Sequence, residues 1–566
     1  MGDLPLKPNT TLKLRTPQGT KVLLWWVAQK WRTTSDRLKT KSCKDSKKGI
    51  KVLCCEMKFI QGKDRATYSL TAPLEELVSE DNVVRSIDLF VENLDLAPLG
   101  FKTDFSENGR PAYSPKALLK LFVYGYLNST RSSRVLEKEC SRNIEVMWLV
   151  EGLKPDHNTI SNFRRDNPKG IGRVFQETVK LAAHFDLIGA DLIAGDSTKL
   201  RAQNSKKNNF NEKKIALHLE RIDNKIEQYQ AELTTADEDN KTAIGAKIDQ
   251  QEVRKAGYEA MSRELAGSGE TQMSSSDPES RLLITRNNIT EVGYNVQTSV
   301  DAKHNLLIDF KVSNENDSNA MGGMLRRAKT ILRTNQFTAL YDKGYHTGSQ
   351  FEYAQKLGIE VLVAIPAVSS HAPDIAYDVA HFSYDQQADH YICPAGELLS
   401  TNGRHYTKGN GRSSVQVKHY KTKACLSCIF FTKCTKNKAG RLIERSEYAD
   451  LIAANKARVE ANLPLYLRRQ AIVEHPYGII KRQWGFYYIM TKKTIQRASA
   501  DVGLMAIAFN LCRIFNILDP KALENHLKSL FSTFGTFIPH FKPLSRTFFP
   551  LFEVTQPKGA PVYWLV

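Results

Sequence analysis

Two aspartates and one glutamate stand in segments that would hold their side chains rigidly. Asp196 follows an apolar run, residues 187–194, that suits a buried strand, and Asp342 ends a second such run. Strand ends in α/β sheets hold side chains at an open edge, although an aspartate there can also be a simple cap. Glu474 lies seven residues before Lys481, and two turns of a continuous helix would place both on one side.

Three carboxylates beside a basic helix suit the metal-assisted cleavage of phosphodiesters. Two divalent cations about 4 Å apart lower the pKa of an attacking water and neutralise charge on the leaving oxygen. Mg²⁺ prefers oxygen ligands, so a few Asp or Glu side chains suffice to hold it. Lys481 and Arg482 would then bind backbone phosphates. An aromatic residue would stack on an unpaired base, or pack in the core; the candidates are Trp484, Tyr487 and Tyr488.

The composition favours a polyanionic partner, with nucleic acid first. Lys and Arg number 80 against 61 Asp and Glu, a net charge of +19. With 41% hydrophobic and 25% charged residues, a mainly disordered or fibrous chain is excluded. The longest uninterrupted apolar runs are too short to cross a bilayer, so we expect no membrane. Nine scattered cysteines do not resemble a disulfide framework, so we expect a reducing, intracellular compartment.

Residues 57–170 have a helical spacing of apolar residues and are expected to form a DNA-binding helical domain. Asp156 would cap a helix that begins at the next residue. The side chains expected to reach DNA from this helix are Asn158, Ser161, Arg164 and Arg165. A bundle with a solvated polar face is the alternative. Residues 1–56 show neither a helical nor a strand period, and one hypothesis is that this atypical extension is not native coding sequence.

Short apolar runs between residues 187 and 365 alternate with helical stretches. Their order, three strands followed by helix, strand, helix and strand, is typical of an α/β fold with a mixed sheet. We assign the core to residues 171–366 and 447–518. Residues 519–566 form an aromatic C-terminal tail, either a packed extension or translated noncoding sequence.

Two insertions interrupt the expected core. Residues 205–280 carry a heptad stripe that predicts a helical hairpin with a flexible Gly- and Ser-rich tail; a dimeric coiled coil is the alternative.

The second insertion, residues 367–446, holds Cys393, Cys425, Cys428 and Cys434. Four thiols in one segment suggest a structural Zn²⁺ site, in which His390 could replace Cys393. Four free buried cysteines and an iron–sulfur cluster are the alternatives.

The order of these motifs resembles the DDE transposases of bacterial insertion sequences, most closely insertion-sequence family 1182 of the insertion-sequence 4/5-like superfamily. The resemblance spans about residues 57–518. Its motifs are Tyr113-Ser114-Pro115-Lys116, residues 156–164, Gly195-Asp196-Ser197-Thr198-Lys199, Gly293-Tyr294-Asn295-Val296-Gln297, Tyr341-Asp342-Lys343-Gly344-Tyr345, the four cysteines, and Val473-Glu474-His475-Pro476-Tyr477-Gly478 with Ile480-Lys481.

The resemblance implies a ribonuclease-H-like core in which Asp196, Asp342 and Glu474 bind two Mg²⁺ ions, with Mn²⁺ as a substitute. The protein would cut both element ends at their terminal inverted repeats and join them to target DNA as a homodimer, at the nucleoid in the bacterial cytoplasm. A Tyr, Arg, Glu and Lys signature surrounds the last acid in the superfamily. Tyr466 and Arg469 keep their mutual spacing, but one extra residue separates them from Glu474.

Three hypotheses follow for function. The first is an active transposase that cleaves DNA and transfers strands. The second is an inactive DNA-binding derivative or regulator of the same family. The third is a metal-dependent nuclease that cuts without joining.

Overall fold

Seven helices precede the first strand in the described part of this computed structural model, which covers residues 72–103, 112–284, 289–366, 372–409 and 414–519, with 521, 523 and 525. They are α1 (Leu74–Leu77), α2 (Val83–Glu92), α3 (Pro115–Leu127), α4 (Ser133–Arg142), α5 (Ile144–Leu149), α6 (His157–Asp166) and α7 (Pro168–His184). The predictions for residues 1–56 and for nearly all of the tail 519–566 lie outside the described residues.

The starts of these helices follow from their caps. The Ser114 side chain accepts a hydrogen bond from the Lys116 N–H, and Pro115 occupies the first turn of α3. The Asp156 side chain accepts one from the Thr159 N–H at the start of α6. Each cap satisfies a backbone donor that has no partner within its helix, so the local sequence fixes where these helices begin.

A mixed six-stranded sheet forms the centre of the fold. Its strands are β1 (Leu192–Arg201), β4 (Arg281–Ile284), β5 (Thr290–Asp301), β6 (Leu307–Ser313), β7 (Thr338–Tyr341) and β8 (Glu360–Val363). The order is β4-β5-β1-β7-β8, and β6 also pairs with β5. β5 pairs antiparallel with β1, β4 and β6, whereas β1, β7 and β8 run parallel. Two helices, α10 (Met321–Leu332) and α11 (Gly348–Leu357), connect β6 to β7 and β7 to β8. The predicted mixed α/β architecture is confirmed.

The first core strand differs from its prediction. Residues 187–191 precede β1, which continues through Asp196 to Arg201, so Asp196 lies within the strand and not at its end. The reason is the neighbouring strand: β5 pairs with β1 as far as Arg201 opposite Gly293. Hydrogen bonds to a long neighbouring strand can continue a strand through polar residues, beyond the point where its apolar pattern stops.

Three helices complete this part of the chain: α13 (Ala449–Ala461), α14 (Leu463–Tyr477) and α15 (Ile495–Ile517). A π-helical turn, Gly478–Gln483, follows α14 directly. Within the described residues α15 alone has the length and apolar composition of a membrane span, but most of it is buried inside the protein, where it packs against α3, α7 and β6. Buried core helices can have the same length and apolar composition as a membrane span. The apolar run read from the sequence is shorter than α15 because Asp501 interrupts it.

The first insertion contains two long helices, α8 (Glu212–Thr235) and α9 (Glu238–Ser268), that pack against each other. Lys255 of α9 lies 2.8 Å from Asp223 of α8. Part of the segment expected to be a flexible tail has secondary structure: α9 extends to Ser268, and β3 (Met273–Ser274) pairs with β2 (Asn209–Phe210). Buried Phe210 and Met273 join Ile215 and Leu265 in a small apolar cluster, which anchors the base of the hairpin.

The second insertion has its own antiparallel sheet. Its strands are β9 (Ser383–Asp385), β10 (His390–Ile392), β11 (Leu398–Gly409), β12 (Ser414–Lys421) and β13 (Ile443–Ser446), in the order β13-β12-β11-β10-β9. A short helix, α12 (Phe431–Cys434), lies between the last two strands in the chain. The buried apolar core of this insertion is small; its members are Phe382, Tyr391, Leu399, Tyr420 and Ile443.

Candidate functional site

The register of two parallel strands brings Asp196 and Asp342 together. The parallel pairing of β1 with β7 ends at Ala194 opposite Leu340, two residues before Asp196 in β1 and two before Asp342, which directly follows β7. The two carboxyl groups are close enough for the charge of Asp342 to act on Asp196. Adjacent strands lie about 4.8 Å apart, which sets the scale of their backbone separation. Of the three predicted acids, these two lie close together beside β1 and β7.

The approach of these strands requires a glycine before Asp196. A Cβ placed on Gly195 would lie 2.0 Å from Cε1 of Tyr341, the residue before Asp342. The Tyr341 ring therefore occupies the space that any larger residue would need. This packing fixes the spacing of the two aspartates.

The Asp196 carboxyl is partly buried near two other acidic side chains and one guanidinium group. The pKa of its carboxyl is raised to about 6, mainly by burial and also by the nearby charges of Asp342 and Asp317. The Ser197 N–H, which donates to Asp196 Oδ1 at 2.7 Å, and the Arg469 guanidinium oppose this shift. Arg469 Nη1 lies 3.6 Å from Asp196 Oδ2. A carboxylate with two acidic neighbours is one whose charge a bound cation would stabilise.

Asp317 is an acidic residue of this site that the sequence analysis missed. Its Oδ1 accepts hydrogen bonds at 2.7 Å from Asn295 Nδ2 and from Gln297 Nε2. Its Oδ2 would lie 3.6 Å from a Cβ on Gly344, two residues after Asp342. A signal was present, because Asp317 comes shortly after the end of β6, as Asp342 comes after β7.

Helix α14 packs against β1, β5 and β7 and brings two predicted signature residues to the aspartates. Tyr466 Oη donates to the carbonyl of Tyr341 at 3.3 Å, and Arg469 lies beside Asp196. Near the end of the same helix, Tyr477 Oη hydrogen-bonds to Thr298 Oγ1 at 2.6 Å, and Thr298 pairs with Asp196 across the sheet. Tyr466 and Arg469 therefore face the site despite the unusual spacing.

Glu474 does not join the two aspartates in this structure. It is exposed, and its Oε1 accepts a hydrogen bond from Gln470 Nε2 at 3.0 Å. Five residues of α-helix rotate a side chain by about 140°, so Glu474 points away from the direction of Arg469. Val473, four residues after Arg469, is buried instead. Among the described residues, no three His, Cys, Asp or Glu side chains are gathered closely enough to hold a metal ion.

The predicted alignment of Glu474 with Lys481 assumed a continuous α-helix. Pro476 lies inside α14, and the chain continues from Gly478 as a π-helical turn. Wider π turns shift the angular position of every later residue, and proline removes a backbone donor. Lys481 Nζ reaches β1, donating to Thr198 Oγ1 at 2.9 Å and to the Lys199 carbonyl at 3.4 Å. Lys481 thus lies beside the strand of Asp196.

The three aromatic residues expected to stack on a base differ in their exposure to solvent. Trp484 is partly buried against the core, with its ring 5.6 Å from that of Phe486. The Arg131 guanidinium lies 4.5 Å from the Tyr488 ring. Tyr487 is 51% exposed and is the aromatic ring most accessible to a base, while Arg482 is exposed nearby.

Helix α6 presents only some of its predicted DNA contacts to solvent. Asn158 and Arg165 are exposed and Ser161 is half-buried. Arg164 is buried: its Nη1 donates to Tyr126 Oη at 2.9 Å and to the Arg131 carbonyl at 3.0 Å. The expectation that Arg164 faces DNA is wrong for this conformation, because α6 turns this side chain into the interior.

The four cysteines of the second insertion have free thiols and line one pocket. His390, the predicted substitute ligand, lies in β10, pairs with Asp385 and Ser400, and is absent from the described lining of that pocket.

Two segments of the chain match transposase family models. Residues 72–166 match the transposase domain DUF772, and residues 392–515 match a transposase DDE domain, a segment that includes Glu474. Both matches support a DDE-type transposase. None of the curated proteins matches the chain. A search of solved structures found the cryo-EM structure of a piggyBac transposase synaptic complex with hairpin DNA, at 10% identity and a TM-score of 0.29, covering 83% of this chain and 84% of that one.

Proposed function

We propose that this protein is a DNA transposase of insertion-sequence family 1182, which binds the terminal inverted repeats of its element, cleaves both ends and joins them to target DNA. One observation carries the proposal: the parallel strands β1 and β7 bring Asp196 and Asp342 close enough for their charges to interact. The sheet that holds them would be a ribonuclease-H-like core. Both transposase matches support the same reaction class.

The donor set of the site fits divalent metal ions. Carboxylate oxygens are the ligands that Mg²⁺ prefers, and Mn²⁺ accepts the same ligands. The charges of Asp342 and Asp317 raise the pKa of Asp196, a repulsion that a bound cation would remove. Asp196 and Asp342 would hold two Mg²⁺ ions, with Glu474 as the third ligand. When bound, these ions activate the attacking oxygen and neutralise the leaving oxygen.

The other side chains of the site would position DNA. Arg469 lies against Asp196 and offsets part of the charge of that carboxylate. Lys481, beside β1, and exposed Arg482 would bind backbone phosphates. Asn158, Ser161 and Arg165 of α6 would contact the element ends. The net charge of +19 favours association with both the ends and the target. We propose a homodimer on paired ends, at the nucleoid of a bacterial cell.

Glu474 makes an inactive derivative the second candidate. Its carboxylate is exposed and bonded to Gln470, outside the aspartate pair. An active enzyme requires α14 to turn Glu474 inward when metal and DNA bind. A DNA-binding regulator does not require this change.

The test is an in vitro reaction with Mg²⁺ or Mn²⁺ and DNA that carries the terminal repeats of the element. We expect joined products from the wild-type protein. The variants Asp196→Asn, Asp342→Asn and Glu474→Gln should each lose cleavage and joining by at least about 10³-fold while retaining DNA binding. Glu460→Gln, in an exposed carboxylate of neighbouring α13, is the matched control and should retain activity.

The products distinguish the hypotheses. Binding without chemistry would favour the inactive derivative, and cleavage without joining would favour a nuclease. Strand transfer that survives in one of the three variants would remove that residue from the catalytic set.

A further inference from the structure

We infer that Cys393, Cys425, Cys428 and Cys434 bind one structural Zn²⁺ ion. The site lies in the second insertion, apart from the aspartates, and it would stabilise the insertion without taking part in DNA chemistry. The inference does not depend on the proposed function, because it rests on four thiols, their surroundings and the small core beside them.

Three chain segments bring the thiols to one pocket. Cys393 directly follows β10, Cys425 and Cys428 lie in or next to a 3-10 turn (Lys423–Ser427), and Cys434 ends α12. All four line the same pocket, and Cys393 and Cys434 also pack against the apolar core of the insertion. Sequence separation had left open whether Cys393 belongs with the other three. The fold places it with them.

The backbone around the thiols is typical of metal knuckles. The Glu397 N–H donates to Cys393 Sγ at 3.3 Å, and the tight turn between them uses Gly396 at φ +85°. The Cys428 N–H donates to the Cys425 carbonyl at 3.3 Å and closes a short loop between these two residues. The bond from Glu397 orients the Cys393 sulfur and favours its thiolate over its thiol, whereas the bond from Cys428 sets the backbone spacing of the pair.

Close packing also holds Cys425 toward the pocket. Gly440 adopts φ +94°, and a Cβ there would lie 2.8 Å from Cys425 Cβ and 3.5 Å from its Sγ. A glycine is therefore required where the returning chain passes over this thiol.

A buried cation faces the cluster. Arg441 is 5% exposed, its Nη1 donates to the Cys434 carbonyl at 3.3 Å, and its Nη2 lies 3.9 Å from Asp378. Four thiolates around one Zn²⁺ leave two negative charges, and a neighbouring guanidinium offsets part of that charge.

The small core of the insertion gives the metal a structural role. Among the described residues of the insertion, the apolar cluster against its five-stranded sheet has only five buried members. Cores of this size rarely suffice alone, and structural Zn²⁺ adds folding free energy directly. The choice of metal follows from the ligands, because thiolates select Zn²⁺ over the Mg²⁺ that carboxylates prefer.

Zn²⁺ binding has to draw the four sulfur atoms together. In a tetrahedral site each sulfur lies about 2.3 Å from the metal, closer than the described thiols are gathered. In the loop between Cys425 and Cys434, Leu426 and Ile429 are 67% and 86% exposed, so no core packing of these two side chains opposes the adjustment.

The experiment is metal analysis of the purified full chain, prepared under reducing conditions. We expect about one Zn²⁺ per chain, bound without added metal. The double variant Cys425→Ser with Cys428→Ser should lose at least about nine-tenths of it, since two remaining thiolates bind weakly. Cys512→Ser, a free cysteine outside the insertion, is the matched control and should retain full Zn²⁺.

A second measurement uses only the wild-type protein, in case the double variant fails to fold. Titration with a mercurial thiol reagent should release Zn²⁺ to a coloured indicator in proportion to the reaction of the four thiols of the insertion, out of nine in the chain. A metal-free wild-type chain, iron with inorganic sulfide in place of Zn²⁺, or full Zn²⁺ in the double variant would each overturn the inference.

Discussion

Asp317 adds a third negative charge to the surroundings of Asp196 and Asp342. Two amide donors, Asn295 and Gln297, hold its carboxylate through Oδ1. These bonds orient the carboxylate, whose charge is one of the two that raise the pKa of Asp196. Residues that surround metal ligands in this way tune both the position of the ligands and the affinity for the ion.

We therefore predict that Asp317→Asn weakens metal binding without removing a direct ligand. The Mg²⁺ concentration that half-saturates cleavage should rise by about 10- to 100-fold, whereas the rate at saturating Mg²⁺ should change less. Ser318→Ala, at the exposed neighbouring residue, is the control. A Mg²⁺ dependence equal to that of the wild type would show that Asp317 has no part in holding the metal.

At the scale of elements, the contact between β1 and β7 determines the site. Gly195 and Tyr341 pack so closely that a methyl group at Gly195 has no room. Either the Tyr341 ring or one strand would have to move, and each movement would change the separation of Asp196 and Asp342. A change in this packing should therefore alter both the stability of the strand pair and the separation of the two aspartates.

The variant Gly195→Ala tests this coupling. Overpacking should lower the free energy of unfolding by about 1–3 kcal/mol and reduce cleavage more than DNA binding. Gly245→Ala, in α9, has nothing within 4 Å of the added Cβ and should stabilise by about 0.4–1 kcal/mol. Denaturant unfolding measures both, and equal stability of the two variants would contradict the packing argument.

At the scale of the whole molecule, a buried carboxylate connects the helical segment to the core. Asp501 of α15 accepts hydrogen bonds from Tyr126 Oη and, at 2.7 Å, from the Met490 N–H. The guanidinium groups of Arg131 and Arg164 lie 3.4 and 3.6 Å from its oxygens. All four side chains are buried. The connection joins the segments that match the two transposase family models.

Asp501→Ala should destabilise the protein by about 3–5 kcal/mol, because two guanidinium groups would stay buried without their carboxylate. The matched control is Glu352→Ala, which removes a partly exposed carboxylate 2.8 Å from Lys356 and should cost less than about 1 kcal/mol. Urea unfolding gives both values. A small effect at Asp501 would mean that water or another group compensates the two arginines.

Local features of the chain could be read without coordinates. The Ser114 and Asp156 caps, the alternation of short apolar runs with helices, and the heptad stripe all depend on neighbouring residues. The two aspartates and the pair Cys425 and Cys428 could also be recognised from the residues next to them. Such signals predict a mixed α/β protein and its candidate acids, because periodicity and capping operate over a few residues.

Contacts between distant segments decided the rest. The extension of β1 past Asp196 and the closeness of Asp196 to Asp342 depend on strands whose register no local pattern records. Arg164 is buried because Asp501, far along the chain, provides its counter-charge. The outward direction of Glu474 depends on how α14 is rotated over the sheet. The candidate acids could be identified from the sequence, whereas the three-dimensional packing determined which of them lie together.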